Sequence, residues 1–172
     1  TNNGKLGFFI FQILIYFVSV LLLFKILRIY FPDRYLLILL SLFCFEPSLN
    51  QYHSSFFTES IYISFLIVLI YFVLKNNKSK VDFLLIGILL GIMYAQRSVS
   101  IGLFIPVILF FIFSLKKNFF ISIFSILLAM GIVISLIGYS NYKRMGIFYI
   151  TPYQANISFF HYVAPVLIAK IN

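Results

Sequence analysis

The sequence lacks most of what holds a soluble or secreted domain together. Its single cysteine, Cys44, rules out an intrachain disulfide framework. Its two histidines, His53 and His161, have no second His or Cys at ligand spacing, so no metal is assigned. No glycine-rich nucleotide loop, zinc motif or nucleophile elbow is present, and no cofactor is expected. No basic leader with a small-residue cleavage site precedes the first apolar run. Charge is scarce: four acids and thirteen basic residues make up 10% of the chain, against about 25% in ordinary soluble domains.

Apolar residues fill the space. They make up 63% of the 172 positions, and aromatic residues alone 20%. A soluble domain of this length buries only about 70% of its chain surface, too little to hide so much apolar area. Disorder and collagen are excluded by the same composition. The expected class is all-α, a polytopic transmembrane helical bundle. The net charge of +9 is no nucleic-acid signal, because the basic residues are scattered between apolar runs and form no basic face. The chain begins with Thr1, and a piece of a larger protein is expected.

A bilayer core of about 30 Å needs roughly 20 apolar helical residues. Six candidate spans follow: residues 6–27, 34–45, 56–74, 81–95, 99–115 and 119–138. The second is short and runs into Glu46-Pro47, and the fifth contains Pro106, where a kink is expected. Gly87 and Gly91 form a small-xxx-small pair that admits a close helix neighbour, and Gly102, Gly131 and Gly138 are expected to serve similar ends. Residues 1–138 are read as the helical bundle and residues 139–172 as a short extracytoplasmic, juxtamembrane segment. Tyr30, Tyr35, Tyr71, Tyr94, Tyr139 and Tyr142 lie near span ends and read as an aromatic belt built without Trp.

Alternating the spans lets the basic residues set direction. Lys25, Arg28, Arg34, Lys75, Lys78, Lys80, Lys116 and Lys117, eight of the thirteen, follow spans one, three and five. That side is read as cytoplasmic. Lys5, Arg97, Lys143, Arg144 and Lys170 fall on the other side. So do Glu46, Asn50, Gln51, His53, Glu59, Gln96, Asn141 and His161, whereas the inward side has only Asp33 and Asp82 beside its lysines. A purely structural bundle has no need to gather acids, histidines and amides at one face.

Within that outward set, Glu59 lies in the first turn of the third span, where the helix dipole favours a carboxylate. It is either a helix-start acid or a functional group at membrane depth. Arg97 ends the fourth span. Glu59 is about 24 Å of helix from Lys75, and Arg97 about 26 Å from Lys80, so a hairpin around KNNKSK brings both to similar depth. The pair is an interhelical ion pair, a phosphate-binding arrangement, or both. Glu46, Gln51 and His53 lie in the polar loop FEPSLNQYHSSFF, where they could hold a polar head group. Lys143 and Arg144 are read as interfacial anchors or as further phosphate contacts.

Three stretches in this order resemble the membrane-embedded GT-C glycosyltransferases, in the branch of bacterial protein mannosyltransferase-like and lipopolysaccharide-sugar transferase-like enzymes. They are LLSLFCFEPSLNQYHSSFFTESIYISFL, FLLIGILLGIMYAQRSVSIGLFIPVILF and NYKRMGIFYITPYQANISFFHYVAPVLIAK. The resemblance implies an inverting transfer of one sugar from a polyprenyl-phosphate donor to a lipid, glycan or protein acceptor. It implies a multi-pass protein of the bacterial cytoplasmic membrane with its site facing outward. By that mapping Glu59 is the second, membrane-edge acid, and Arg97 contacts the phosphate. The family's principal acid follows a helix expected before residue 1, so this piece alone is expected to be inactive. The competing readings are a polytopic transporter or flippase and a non-catalytic membrane subunit. The near absence of charge in the middle of the spans weighs against the transporter.

Overall fold

The computed structural model describes residues 2–45, 58–114, 119–146, 148 and 150. Among them the regular structure is entirely helical, with six α-helices and one 3-10 segment. The helices are α1 (Asn2–Tyr30), α2 (Asp33–Cys44), α3 (Thr58–Leu74), α4 (Lys80–Gln96), α5 (Phe104–Ser114) and α6 (Phe119–Met145). The chain divides into two compact units, Thr1–Ser79 and Lys80–Asn172. Among the described residues two helices are long and apolar enough to cross a bilayer unaided, over Leu6–Tyr30 and Phe119–Arg144. Large apolar side chains stand exposed along them, among them Phe17, Leu21 and Ile29 on α1 and Leu128, Ile132 and Leu136 on α6. Water would not tolerate such surfaces, and lipid covers them without cost.

In the first unit α1 is the spine. Among its described side chains Gln12, Ser19 and Ile26 are buried, seven apart, so they form one narrow stripe. Helix α2, at 12 residues, is only about 18 Å long. It nevertheless carries the chain back along α1. The Arg28 Nε–Asp33 Oδ1 pair, 3.7 Å apart and exposed, marks the turn. At the other end Phe43 stacks on Tyr16, with ring centroids 6.3 Å apart. Tyr16 precedes Tyr30 by about 21 Å of helix, so α2 recrosses most of the apolar layer despite its length. Helix α3 then begins level with Gln12, because Ser60 meets that residue. Apart from the buried Ser60 and Ser64, its sequence after Glu59 is apolar to Leu74, and a run parallel to α1 keeps it in the apolar layer.

The second unit is an up-down-up arrangement of α4, α5 and α6. A Cβ placed on Gly87 would fall on the backbone oxygen of Ile126 and lie 2.8 Å from the Ala129 Cβ. One turn later, a Cβ on Gly91 would lie 2.9 Å from the Val133 Cβ and 3.3 Å from the Met130 oxygen. Residue numbers rise together on both helices, so α4 and α6 are parallel and in close backbone contact. The small-xxx-small expectation holds at this pair. It fails at Gly102 and Gly131, where an added Cβ meets nothing within 4 Å, and Gly138 faces the Phe148 ring rather than a helix.

The fifth span differs from expectation in a second way. It starts as a 3-10 segment, Ser98–Leu103, and becomes α-helical at Phe104. Pro106 is therefore the third residue of α5, in the first turn, where a missing N–H costs nothing. No kink at Pro106 is needed, because the change of helix type has already occurred upstream. Phe111 of α5, fully buried, packs edge-on against Phe83 of α4 at a centroid distance of 5.5 Å. From Phe83 to Arg97 is about 21 Å of α-helix. The return from Ser98 to Phe111, as 3-10 then α, is about 22 Å. The stretched 3-10 start lets eleven α-helical residues match the rise of α4.

Candidate functional site

The expected site residues fall into three groups. Glu46, Gln51 and His53, with Asn50 beside them, lie outside the described residues. Glu59 belongs to the first unit, and Arg97, Lys143 and Arg144 belong to the second.

Glu59 is half-buried in the first turn of α3. Four N–H groups at a helix start have no partner within the helix, and the dipole adds positive potential there. A side chain whose oxygens accept hydrogen bonds suits this position. The opposite end of α3 is complementary: the Lys78 Nζ donates to the Lys75 carbonyl oxygen at 2.5 Å, just past the last turn. Next to Glu59, Ser60 is fully buried and its Oγ accepts a hydrogen bond from Gln12 Nε2 of α1. The start of α3, and with it Glu59, is thus tied to α1.

Arg97 terminates α4. Its N–H still donates to the Met93 oxygen at 2.9 Å, but its own backbone is extended, with φ −146° and ψ 119°. Its carbonyl accepts from Ser100 N at 2.9 Å and opens the 3-10 segment. The side chain is exposed. Beside it, Gln96 is half-buried, and its Oε1 has no hydrogen-bond partner.

The parallel packing of α4 on α6 sets the level of Arg97. Gly91 faces Met130 and Val133, and Arg97 lies six residues on, about 9 Å further. That is the level of Gly138 and Tyr139. Lys143 and Arg144 occupy the last turn of α6, about 6–9 Å beyond. Side chains on a helix lean toward its N-terminus, and the Lys143 Nζ sits 5.8 Å from the Tyr139 ring centroid. The ammonium is therefore drawn back toward the level of Arg97. Arg97, Lys143 and Arg144 gather at one end of this unit, and all three are exposed. At the other end are Lys80 and Asp82, the latter buried in the first turn of α4. Among the described residues no three His, Cys, Asp or Glu side chains lie together as a metal ion would require.

A membrane helical bundle with a cationic end suits an enzyme acting on an anionic lipid, and comparison with known families decides the class. The sequence model of the dolichyl-phosphate-mannose-protein mannosyltransferase family matches residues 1–140. The chain belongs to this family. No curated protein and no solved structure matches it. As a member of the dolichyl-phosphate-mannose-protein mannosyltransferase family, it is assigned to the membrane glycosyltransferases of the GT-C type. The matched stretch contains Glu46, Gln51, His53, Glu59 and Arg97, and it stops before Lys143 and Arg144.

Sequence reasoning passed over two features of this mannosyltransferase-family chain. Gln12 looked like one polar residue in a long apolar run, yet it makes the contact that fixes the start of α3. An amide within an apolar span is itself the signal, since it must find a partner there. Asp82 read only as an inward-side acid beside its lysines, but it is buried in the first turn of α4. By the glycine register it is level with Ser122, which is also buried.

Proposed function

We propose that the protein transfers a single sugar from a polyprenyl-phosphate carrier to a lipid, glycan or protein acceptor at the extracytoplasmic face of the membrane. The reading is supported by the family membership and carried by one geometric observation. Arg97 shares an end of its helical unit with Lys143 and Arg144. A polyprenyl phosphate has its apolar tail in the bilayer and its anionic group at the interface, where such a cationic end can meet it.

The chemistry requires a base and an anion stabiliser. The acceptor hydroxyl attacks the anomeric carbon from the face opposite the phosphate. The bond from that carbon to the phosphate oxygen breaks, the polyprenyl phosphate leaves with the electron pair, and the configuration inverts. A carboxylate takes the hydroxyl proton, and Glu59 is the second acid serving this step at the membrane edge. The Arg97 guanidinium, with its forked donors, bears the charge that grows on the departing phosphate. Lys143 and Arg144 attract the lipid phosphate, and Glu46, Gln51 and His53 are assigned to binding its polar head group.

The outward placement is supported by the eight basic residues that follow spans one, three and five. The test is transfer by the full-length protein in lipid vesicles, supplied with either a polyprenyl-phosphate sugar or the matching nucleotide sugar. Transfer from the lipid donor alone, with inversion at the anomeric carbon, is expected. Equal transfer from the nucleotide sugar overturns the reading.

A further inference from the structure

We propose that Gln12 is a positioning residue that sets the placement of Glu59 through Ser60. The inference rests on the reading of Glu59 as an acid of the transfer site. Gln12 and Ser60 are 48 positions apart, both are buried, and the Gln12 amide donates to the Ser60 hydroxyl. Ser60 is the third residue of α3 and the immediate neighbour of Glu59. Gln12 stands eleven residues into α1, so the rest of a membrane-long helix anchors it.

The surroundings make this hydrogen bond decisive for the helix start. The first turn of a helix lacks internal partners for its N–H groups and frays most readily. In an apolar layer no water competes with the Gln12 N–H for the Ser60 oxygen. Two further polar side chains lie one turn away. Tyr16 is one turn along α1 and Ser64 one turn along α3, and these parallel helices bring them to the same level. Ser64 is fully buried, and on the other side Tyr16 stacks on Phe43. Helix α1 is thereby braced by α2 at the level next to the Gln12–Ser60 contact. A shift of the first turn of α3 would move the Glu59 carboxylate directly, and a displacement of about 1 Å at a reacting group can cost on the order of 100-fold in rate.

The test is a variant set in the full-length protein, measured for kcat and donor KM, with folded yield and thermal midpoint measured alongside. Gln12→Leu and Ser60→Ala are each expected to lower kcat about 10-fold or more while donor KM stays within about twofold. The double variant should be no slower than the slower single variant, because both remove one contact. Ser60→Thr keeps the hydroxyl and should restore kcat to near the wild-type value. Wild-type kcat in Gln12→Leu, multiplicative losses in the double variant, or a loss in Ser60→Thr equal to that in Ser60→Ala overturns the proposal. Glu59→Gln separates the two levels of the argument. If it abolishes transfer while Gln12→Leu does not slow it, only the positioning role fails. If it transfers normally, the role of Glu59 fails and the positioning proposal with it.

Discussion

Gly87 of α4 lies so close to Ala129 of α6 that a methyl group on it would come within 2.8 Å of the Ala129 Cβ. This contact, repeated one turn later by Gly91 and Val133, fixes the register of the second unit. The register in turn brings Arg97 to the level of Tyr139, within reach of the end that carries Lys143 and Arg144.

Gly87→Leu should therefore disrupt the α4–α6 interface. Overpacking costs about 1–3 kcal/mol where neighbours can shift, and here part of the obstruction is the backbone of Ile126. A clear drop in thermal midpoint in detergent or vesicles is expected. Gly131→Ala is the control: nothing lies within 4 Å of an added Cβ there, and alanine favours the helix by about 1 kcal/mol over glycine. Its midpoint should be unchanged or raised.

Lys143→Ala combined with Arg144→Ala should raise donor KM with little change in kcat. Each cation near a membrane surface contributes about 1 kcal/mol to attracting an anionic lipid, so an increase of roughly 5- to 30-fold is expected. Because the groups are exposed, raising the salt concentration should shrink the difference between variant and wild type.

Sidedness can be read with single cysteines in a Cys44→Ser background. Asn77→Cys, in the exposed turn after α3, should react with a membrane-impermeant maleimide only from the cytoplasmic side. Ser140→Cys, exposed near the end of α6, should react only from outside. The reverse pattern would invert the orientation drawn from the basic residues.

Most of the helical plan was legible in the sequence, for a physical reason. In lipid every backbone group must be satisfied within its own segment, so apolar length reports helices directly. The expected spans at 56–74, 81–95 and 119–138 became α3, α4 and α6, although α6 continues seven residues further to Met145. Glycine roles were less legible. Gly87 and Gly131 sit in similar apolar surroundings, and only the partner helix distinguishes the packed one from the open one. Pro106 misled because a proline marks a helix break only away from the first turn, and the 3-10 start upstream carries no sequence signature strong enough to move that turn.

The candidate site was legible in part. Arg97, Lys143 and Arg144 were placed on one face by counting spans, and the α4–α6 register independently puts them at one end of their unit. The loop residues Glu46, Gln51 and His53 lie outside the described residues. Gln12 escaped notice because a lone polar residue in an apolar run acquires meaning only when its tertiary partner is known.

The central claim is that Glu59 and Arg97 act in sugar transfer, and single-turnover transfer by Glu59→Gln and Arg97→Ala tests it most directly. Both variants, in the full-length protein, should insert and fold as wild type does. With polyprenyl-phosphate sugar as donor, Glu59→Gln should lose about 100- to 10,000-fold in rate, and Arg97→Ala about 100- to 1,000-fold. Arg97→Lys should fall between wild type and Arg97→Ala, since an ammonium keeps the charge without the fork. Unchanged transfer by both Glu59→Gln and Arg97→Ala would contradict the account.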